Sequence, residues 1–224
     1  MTEQGQGGVN LSKVTLTKSQ PTVSLTKRGA AGGWLRVNLN WNARPAAAPP
    51  PAGGGFLKRL AAKAAAASSG GIDLDLACLY EFTDGSKGVV QALGNAFASK
   101  NSGSPIVTLD GDDRTGTNTE GENLRIDLGR VAEIKRILVF TFIYEGAPNW
   151  AAADGVVTLF PASGPPVEVR LDESDPQSRT CAIAMLENSG GDLVVRREVQ
   201  YIRGGQKELD EAYGWGMRWT AGRK

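Results

Sequence analysis

The chain contains no histidine. Ser-His and Cys-His catalysis, imidazole zinc sites and the usual switch near neutral pH are therefore closed to it. Cysteine is nearly as scarce. Cys78 and Cys181 stand apart in apolar surroundings, which reads as two buried thiols of a reducing compartment, not as a disulfide, a redox pair or a zinc site. Charge of either sign is not in excess: 25 basic and 24 acidic residues leave a formal net charge of +1. Without a global field, any electrostatic role must come from local patches. The basic residues do not interleave with aromatics, so a nucleic-acid surface is not expected. No segment reaches membrane-spanning length, and Met-Thr-Glu-Gln-Gly-Gln-Gly-Gly at the start has no apolar run of a signal peptide. A cytoplasmic protein is expected.

What is present in quantity is acid, concentrated between Leu109 and Leu128. Asp110, Asp112, Asp113, Glu120, Glu122 and Asp127 lie there among Gly111, Gly116 and Gly121, which let a backbone bend tightly and aim carbonyl oxygens inward. These are hard oxygen donors, the ligands that Ca²⁺ collects in sets of six to eight. The spacing is not that of an EF-hand. Counted from Asp110, Arg114 falls at the fifth position, Thr115 where glycine is needed and Gly121 where the bidentate glutamate belongs. On residue type alone, a solvated surface turn and a metal loop both fit this stretch.

A second acidic signal precedes it. Ile72, Leu74, Leu76, Cys78 and Tyr80 alternate with Asp73, Asp75, Ala77 and Leu79, so the segment predicts a strand, and residues two apart on a strand project from one face. Asp73 and Asp75 must then point the same way, which like-charge repulsion penalises unless a cation or donors lie between them. Two parallel carboxylates would form the rigid half of a metal site whose flexible half is the loop over residues 110–123.

The remaining pattern is β throughout. Val9-Asn-Leu-Ser-Lys13, Val14-Thr-Leu-Thr-Lys18 and Val23-Ser-Leu-Thr-Lys27 repeat one short alternating motif, with Pro21 suited to a turn between the second and third copies. Leu35 to Trp41, Val89 to Leu93, Ile106 to Leu109, Ile137 to Ile143, Val156 to Phe160, Val167 to Leu171, Cys181 to Leu186 and Leu193 to Val199 read as further strands, with the apolar run at Ile137 doubly covered. Lys207 to Tyr213 predicts a short helix and Trp215 to Trp219 a final strand, its tryptophans serving as core plugs. With 224 residues and 41% hydrophobic composition, an all-β sandwich of two antiparallel or mixed sheets with a few short helices is expected, as one domain over 1–224. A Pro/Ala/Gly-rich insert over 45–70 interrupts it. Phe56 to Ala67 predicts a short helix there, and Arg44, Lys58, Arg59 and Lys63 face no acid between Arg44 and Ile72. A basic helix touching an anionic membrane or acidic partner, and a solvated helix on a tether, both fit.

Taken together, several segments resemble the TerD-like tellurium-resistance family and, within it, its TerA-like members: Leu39-Asn-Trp-Asn-Ala-Arg44, Gly71-Ile-Asp-Leu-Asp-Leu76, Asp84-Gly-Ser-Lys-Gly-Val-Val-Gln-Ala-Leu-Gly-Asn95, Gly111-Asp-Asp-Arg-Thr-Gly116, Gly121-Glu-Asn-Leu-Arg125 and Tyr144-Glu-Gly-Ala-Pro-Asn-Trp150. The resemblance implies a Ca²⁺-binding β-sandwich of bacterial stress resistance, with Asp73, Asp75, Asp112 and Asp113 as metal ligands, Glu122 and Asn123 as further ones, and Asp110 and Glu145 as outlying candidates. It also implies partners among other tellurium-resistance proteins at the inner membrane surface. Asn42 stands where many relatives carry Asp, and Glu120-Gly-Glu-Asn123 is less acidic than the family's usual run. The rival function is a lectin-like sandwich in which calcium and loop carboxylates hold a sugar hydroxyl. A hydrolase is disfavoured, since no nucleophile-base pair and no phosphate-cradling glycine loop is legible.

Overall fold

Alternation of Leu35, Val37 and Leu39 with Arg36, Asn38 and Asn40 lets a strand bury one edge of its pleat, while unbroken apolar runs such as Ile137 to Phe140 suit strands covered on both faces. The computed structural model, which describes residues 22–24, 32–41, 72–112, 120–162 and 165–220, places both kinds accordingly. The strands are β1 (Thr22–Ser24), β2 (Trp34–Asn40), β3 (Asp73–Phe82), β4 (Lys87–Val90), β5 (Val107–Leu109), β6 (Glu122–Asp127), β7 (Ile134–Glu145), β8 (Val156–Phe160), β9 (Val167–Arg170), β10 (Thr180–Ser189) and β11 (Asp192–Ile202). Among the described residues two helices, α1 (Trp150–Ala153) and α2 (Gln206–Tyr213), and 3-10 turns at Leu93–Asn95 and Leu128–Glu133 accompany them.

One sheet runs β1-β11-β10-β7-β3-β4 and the other β5-β6-β2-β8-β9. Every pairing is antiparallel. The sandwich core between them is built from Leu35, Val37 and Leu39 of β2, Leu124 and Ile126 of β6, and Leu74, Leu76, Cys78, Tyr80 and Phe82 of β3. A second apolar layer on the far side of the larger sheet joins Ala77, Leu79, Leu138, Phe140 and Met185 to Leu209 of α2 and to Trp215. β3 is therefore buried along its whole length. Among the described residues no helix is long and apolar enough to cross a membrane.

Three expectations are corrected. The stretch from Leu109 to Leu128 is not one loop, because Glu122–Asp127 is a full strand paired with β2 and β5; acids at both of its ends and a single alternating core pair, Leu124 and Ile126, hid it. Trp215 to Trp219 is not a strand. The Asp210 carboxylate accepts from the amides of Gly216 (2.6 Å) and Met217 (2.8 Å) and from Trp219 Nε1 (2.8 Å), so the amides a strand would pair are spent on a side chain. The strand expected over Val89 to Leu93 ends at Val90 and gives way to the 3-10 turn. Of the two tryptophans expected as plugs, Trp215 is fully buried, while Trp219 is only partly buried against the second apolar layer. The first two Val-x-Leu-x-Lys copies and the insert over 45–70 lie outside the described residues, as do Asn42 and Asp113.

Candidate metal centre

Asp73 and Asp75 open β3, and their two-residue spacing gives them the same side of the strand as Ala77 and Leu79. β4 pairs only with Cys78 to Glu81, so among the described residues no strand covers that edge of β3 over its first half. The backbone there is pinned in other ways. Trp41 Nε1 donates to the Ile72 carbonyl at 2.7 Å, Thr141 Oγ1 to the Asp75 carbonyl at 2.8 Å, and the Leu76 amide donates to Glu122 Oε2 at 2.7 Å. Glu122 thus bridges the two sheets and takes over one rung of the missing ladder.

Gly121 makes this reach possible. Its φ is +61°, and a Cβ there would stand 2.1 Å from the Leu39 carbonyl oxygen, so only glycine lets the chain enter β6 so close to β2. Asn38 Nδ2 fastens the same entry by donating to the Glu120 carbonyl at 2.6 Å.

Asp112, in the loop after β5, completes a group of three. One carboxylate oxygen from each of Asp73, Asp75 and Asp112 lies within 4.8 Å of the others. Asp73 and Asp75 are 1% and 0% exposed. At that distance each pair of negative charges repels by about 3 kcal/mol at an effective dielectric near 20, a repulsion that donors, protons or a shared cation can offset. The donor set is carboxylate oxygen alone, with no imidazole and no thiolate, which suits Ca²⁺, Mg²⁺ or Mn²⁺ and not Zn²⁺ or copper.

The other expected site residues fall around this trio. Glu122 lies at the same edge with its carboxylate on the Leu76 amide. Asn123, next along β6, has the opposite parity: its Nδ2 donates to Asp110 Oδ2 (2.9 Å), and its Oδ1 accepts from Arg36 Nη1 (2.9 Å) and Asn38 Nδ2 (3.0 Å). Both oxygens of Asp110 are engaged by Asn123, which closes the base of the loop. Glu145, paired in register with Asp73, is exposed.

One buried acid had no signal in its own neighbourhood. Glu81, near the far end of β3, accepts from Lys135 Nζ and Arg136 Nε, each at 2.7 Å, with Lys87 Nζ at 3.8 Å. Burial alone would push its carboxyl up; the two hydrogen bonds, with the charges of Arg136 and Lys87, outweigh that and hold it below its ordinary value. The two side chains that hydrogen-bond it lie more than fifty residues away in sequence, so only the fold brings them to it. Both thiols are buried free cysteines whose ionisation is pushed far up by desolvation, so neither offers a reactive thiolate.

Comparison with known proteins first defines the class. The sandwich is that of a crystallised homologue of the telluride resistance protein TerD from Streptomyces coelicolor A3(2), with a TM-score of 0.51, 18% identity, and coverage of 80% of this chain and 95% of that one. A crystallised protein of unknown function shares it with a TM-score of 0.52 and 12% identity, over 78% of this chain and 92% of that one. No family model matches the chain. The particular relationship comes from sequence. The chain is a homologue of the tellurium resistance protein TerA, being 47% identical to TerA of an Alcaligenes species over 216 residues, 96% of this chain. It spans 60% of that relative's length.

Proposed function

We propose that this chain is a non-enzymatic calcium-binding module of a bacterial tellurite- and stress-resistance assembly. The observation that carries the reading is the convergence of Asp73, Asp75 and Asp112 from two separate segments to within 4.8 Å. Asp73 and Asp75 supply a rigid, strand-borne pair, Asp112 the loop side, with Asp113 next to it in sequence and Glu122 holding the strand edge that presents the pair. Asn123 serves the site through Asp110, as the clamp at the base of the loop. A donor set split between a fixed strand and a glycine-rich loop suits the irregular, larger shell of Ca²⁺ better than the near-ideal octahedron that Mg²⁺ demands. The homology to TerA supports the resistance context, and the buried thiols argue for a role in binding in place of thiolate chemistry on a tellurium oxyanion. Other tellurium-resistance proteins at the cytoplasmic face of the inner membrane are the proposed partners, with the basic stretch over 45–70 as a contact to membrane or acidic protein. Equal liposome co-sedimentation of intact and insert-deleted protein would remove that last element.

Isothermal titration of metal-stripped protein with Ca²⁺, a Mg²⁺ control, and the Asp75→Asn, Asp112→Asn double variant tests the central claim. Saturable, Ca²⁺-selective heat that the variant loses is the expected result. Heat of dilution alone in the intact protein would overturn it.

A further inference from the structure

The outward face of the smaller sheet carries a like-charge pair of the opposite sign. β2 and β6 turn Leu35, Val37, Leu124 and Ile126 into the core, so the residues that alternate with them project from the other side. There Phe160 of β8, Arg36 of β2 and Arg125 of β6 stand in register, one row across three neighbouring strands. Arg36 and Arg125 are thus directly opposite one another, a placement in which like charges destabilise a sheet. Among the described residues neither makes an ion pair. The Arg36 guanidinium lies over the Phe160 ring at 3.9 Å and donates from Nη1 to Asn123 Oδ1, while Arg125 is exposed. Trp34, two residues before Arg36 on the same side of β2, is a large aromatic left exposed.

We propose that this face docks an acidic segment of a partner protein, with a carboxylate seated between the guanidinium groups of Arg36 and Arg125 and an apolar side chain against Trp34. A shared anion offsets the repulsion of two adjacent guanidinium groups, and a carboxylate has lone pairs enough to accept from both forks. Tryptophan and arginine are also the residues on which binding energy concentrates at protein interfaces. The charges around the pair choose the class of occupant. Along β6, Asn123 and Asp127 flank Arg125 about 7 Å to either side, two residues at the rise of a strand. Asp127 accepts from the Gly129 amide and Asn123 holds the Asp110 carboxylate, so both acids are fixed where they stand. They close the positive strip at its two ends. A nucleic-acid strand, charged at every phosphate, or an anionic bilayer extends past the strip and meets Asp110 and Asp127. A peptide brings one or two carboxylates with neutral residues around them. None of Asp73, Asp75 and Asp112 belongs to this face, so its test stands apart from that of the metal centre.

The test is fluorescence anisotropy of the labelled peptide Gly-Glu-Leu-Glu-Leu-Gly, titrated with the full chain at low ionic strength, beside its neutral counterpart Gly-Gln-Leu-Gln-Leu-Gly. Saturable binding of the acidic peptide alone is expected, weakened about tenfold by Arg125→Gln, the loss of one charge-assisted contact. Arg125→Lys keeps the charge without the fork and should bind between the two. Circular dichroism and the melting midpoint report that each variant keeps the sandwich. Lys207→Gln removes an exposed charge from α2, away from this face, and should bind as the native chain does. No saturable binding of the acidic peptide, or equal weakening by Arg125→Gln and Lys207→Gln, would overturn the proposal. Displacement of the peptide by oligothymidylate or by phosphatidylglycerol vesicles, each competing through Arg125, would also overturn it, since the occupant would then be a nucleic acid or a membrane.

Discussion

The two ends of β3 each bury acid, and they solve the problem in opposite ways. Near Phe82, Glu81 is surrounded by Lys87, Lys135 and Arg136. At the other end Asp73 and Asp75 meet a third carboxylate, that of Asp112. All three β3 acids have the same parity, separated by Ala77 and Leu79 of the second apolar layer. A carboxylate with its counter-charges built in is a structural fastening: Arg136 also lies over the Trp215 ring at 3.9 Å, and Lys87 Nζ donates to the Trp215 carbonyl at 2.9 Å, so Glu81 ties the C-terminal segment to the sheet. A carboxylate placed among carboxylates at a strand edge instead gathers several oxygen donors that one cation can share.

Neutralising Glu81 should produce the largest loss. Glu81→Gln removes charge-assisted bonds at a site only 4% exposed and is expected to cost about 3 kcal/mol, lowering the melting point by roughly 6–12 °C, with or without Ca²⁺. The pH dependence has a definite sign. Because the folded-state carboxyl titrates below its ordinary value of 4.5, its contribution is present in full above that value and is lost as pH falls through the lowered one. The gap between native chain and variant should thus be wide at pH 7 and close toward pH 3. A gap that persists at low pH would mean that the loss came from packing.

Calcium should act only at the other end. At a free concentration 100-fold above Kd, the ion is expected to add about 2.7 kcal/mol, a rise in melting point of roughly 5–10 °C, absent in Asp75→Asn and unchanged in size in Glu81→Gln. An equal rise in Asp75→Asn would detach the stabilisation from the trio.

How much of this was visible in the chain follows from how local each signal is. The Asp-x-Asp pair was legible because strand parity alone forces Asp73 and Asp75 together, and the fold class because alternation needs only neighbours. The strand Glu122–Asp127 was not, since its acids carried the composition of a loop and its partners, β2 and β5, lie elsewhere in the chain. For the same reason the two-sided burial of Asn123 and Glu122 could not be separated until the register of β6 placed them on opposite faces. Glu81 was silent for a different reason. Nothing around Thr83 or Asp84 announces Lys135 and Arg136, and the strand pairing Glu81↔Arg136 supplies the meeting.

The finest division lies within the Glu81 cluster itself. Lys135 and Arg136 approach the carboxylate at the same 2.7 Å, so distance predicts equal importance, whereas exposure predicts otherwise. The Lys135 side chain is 60% exposed and that of Arg136 22%. A solvated ammonium gives back most of its attraction to water and counter-ions, and such pairs are worth about 0.5 kcal/mol. Arg136 also donates to the carbonyls of Tyr213 and Gly214, both at 3.3 Å, while stacking on Trp215, so its removal strands several partners at once. Lys135→Ala is accordingly expected to change stability by no more than about 0.5 kcal/mol and to lose even that in 1 M salt, whereas Arg136→Ala should approach the loss of Glu81→Gln and keep it at high salt. Equal effects of the two substitutions in chemical denaturation would show that Glu81 is held by charge alone, and that the tie to the C-terminal segment contributes nothing to it.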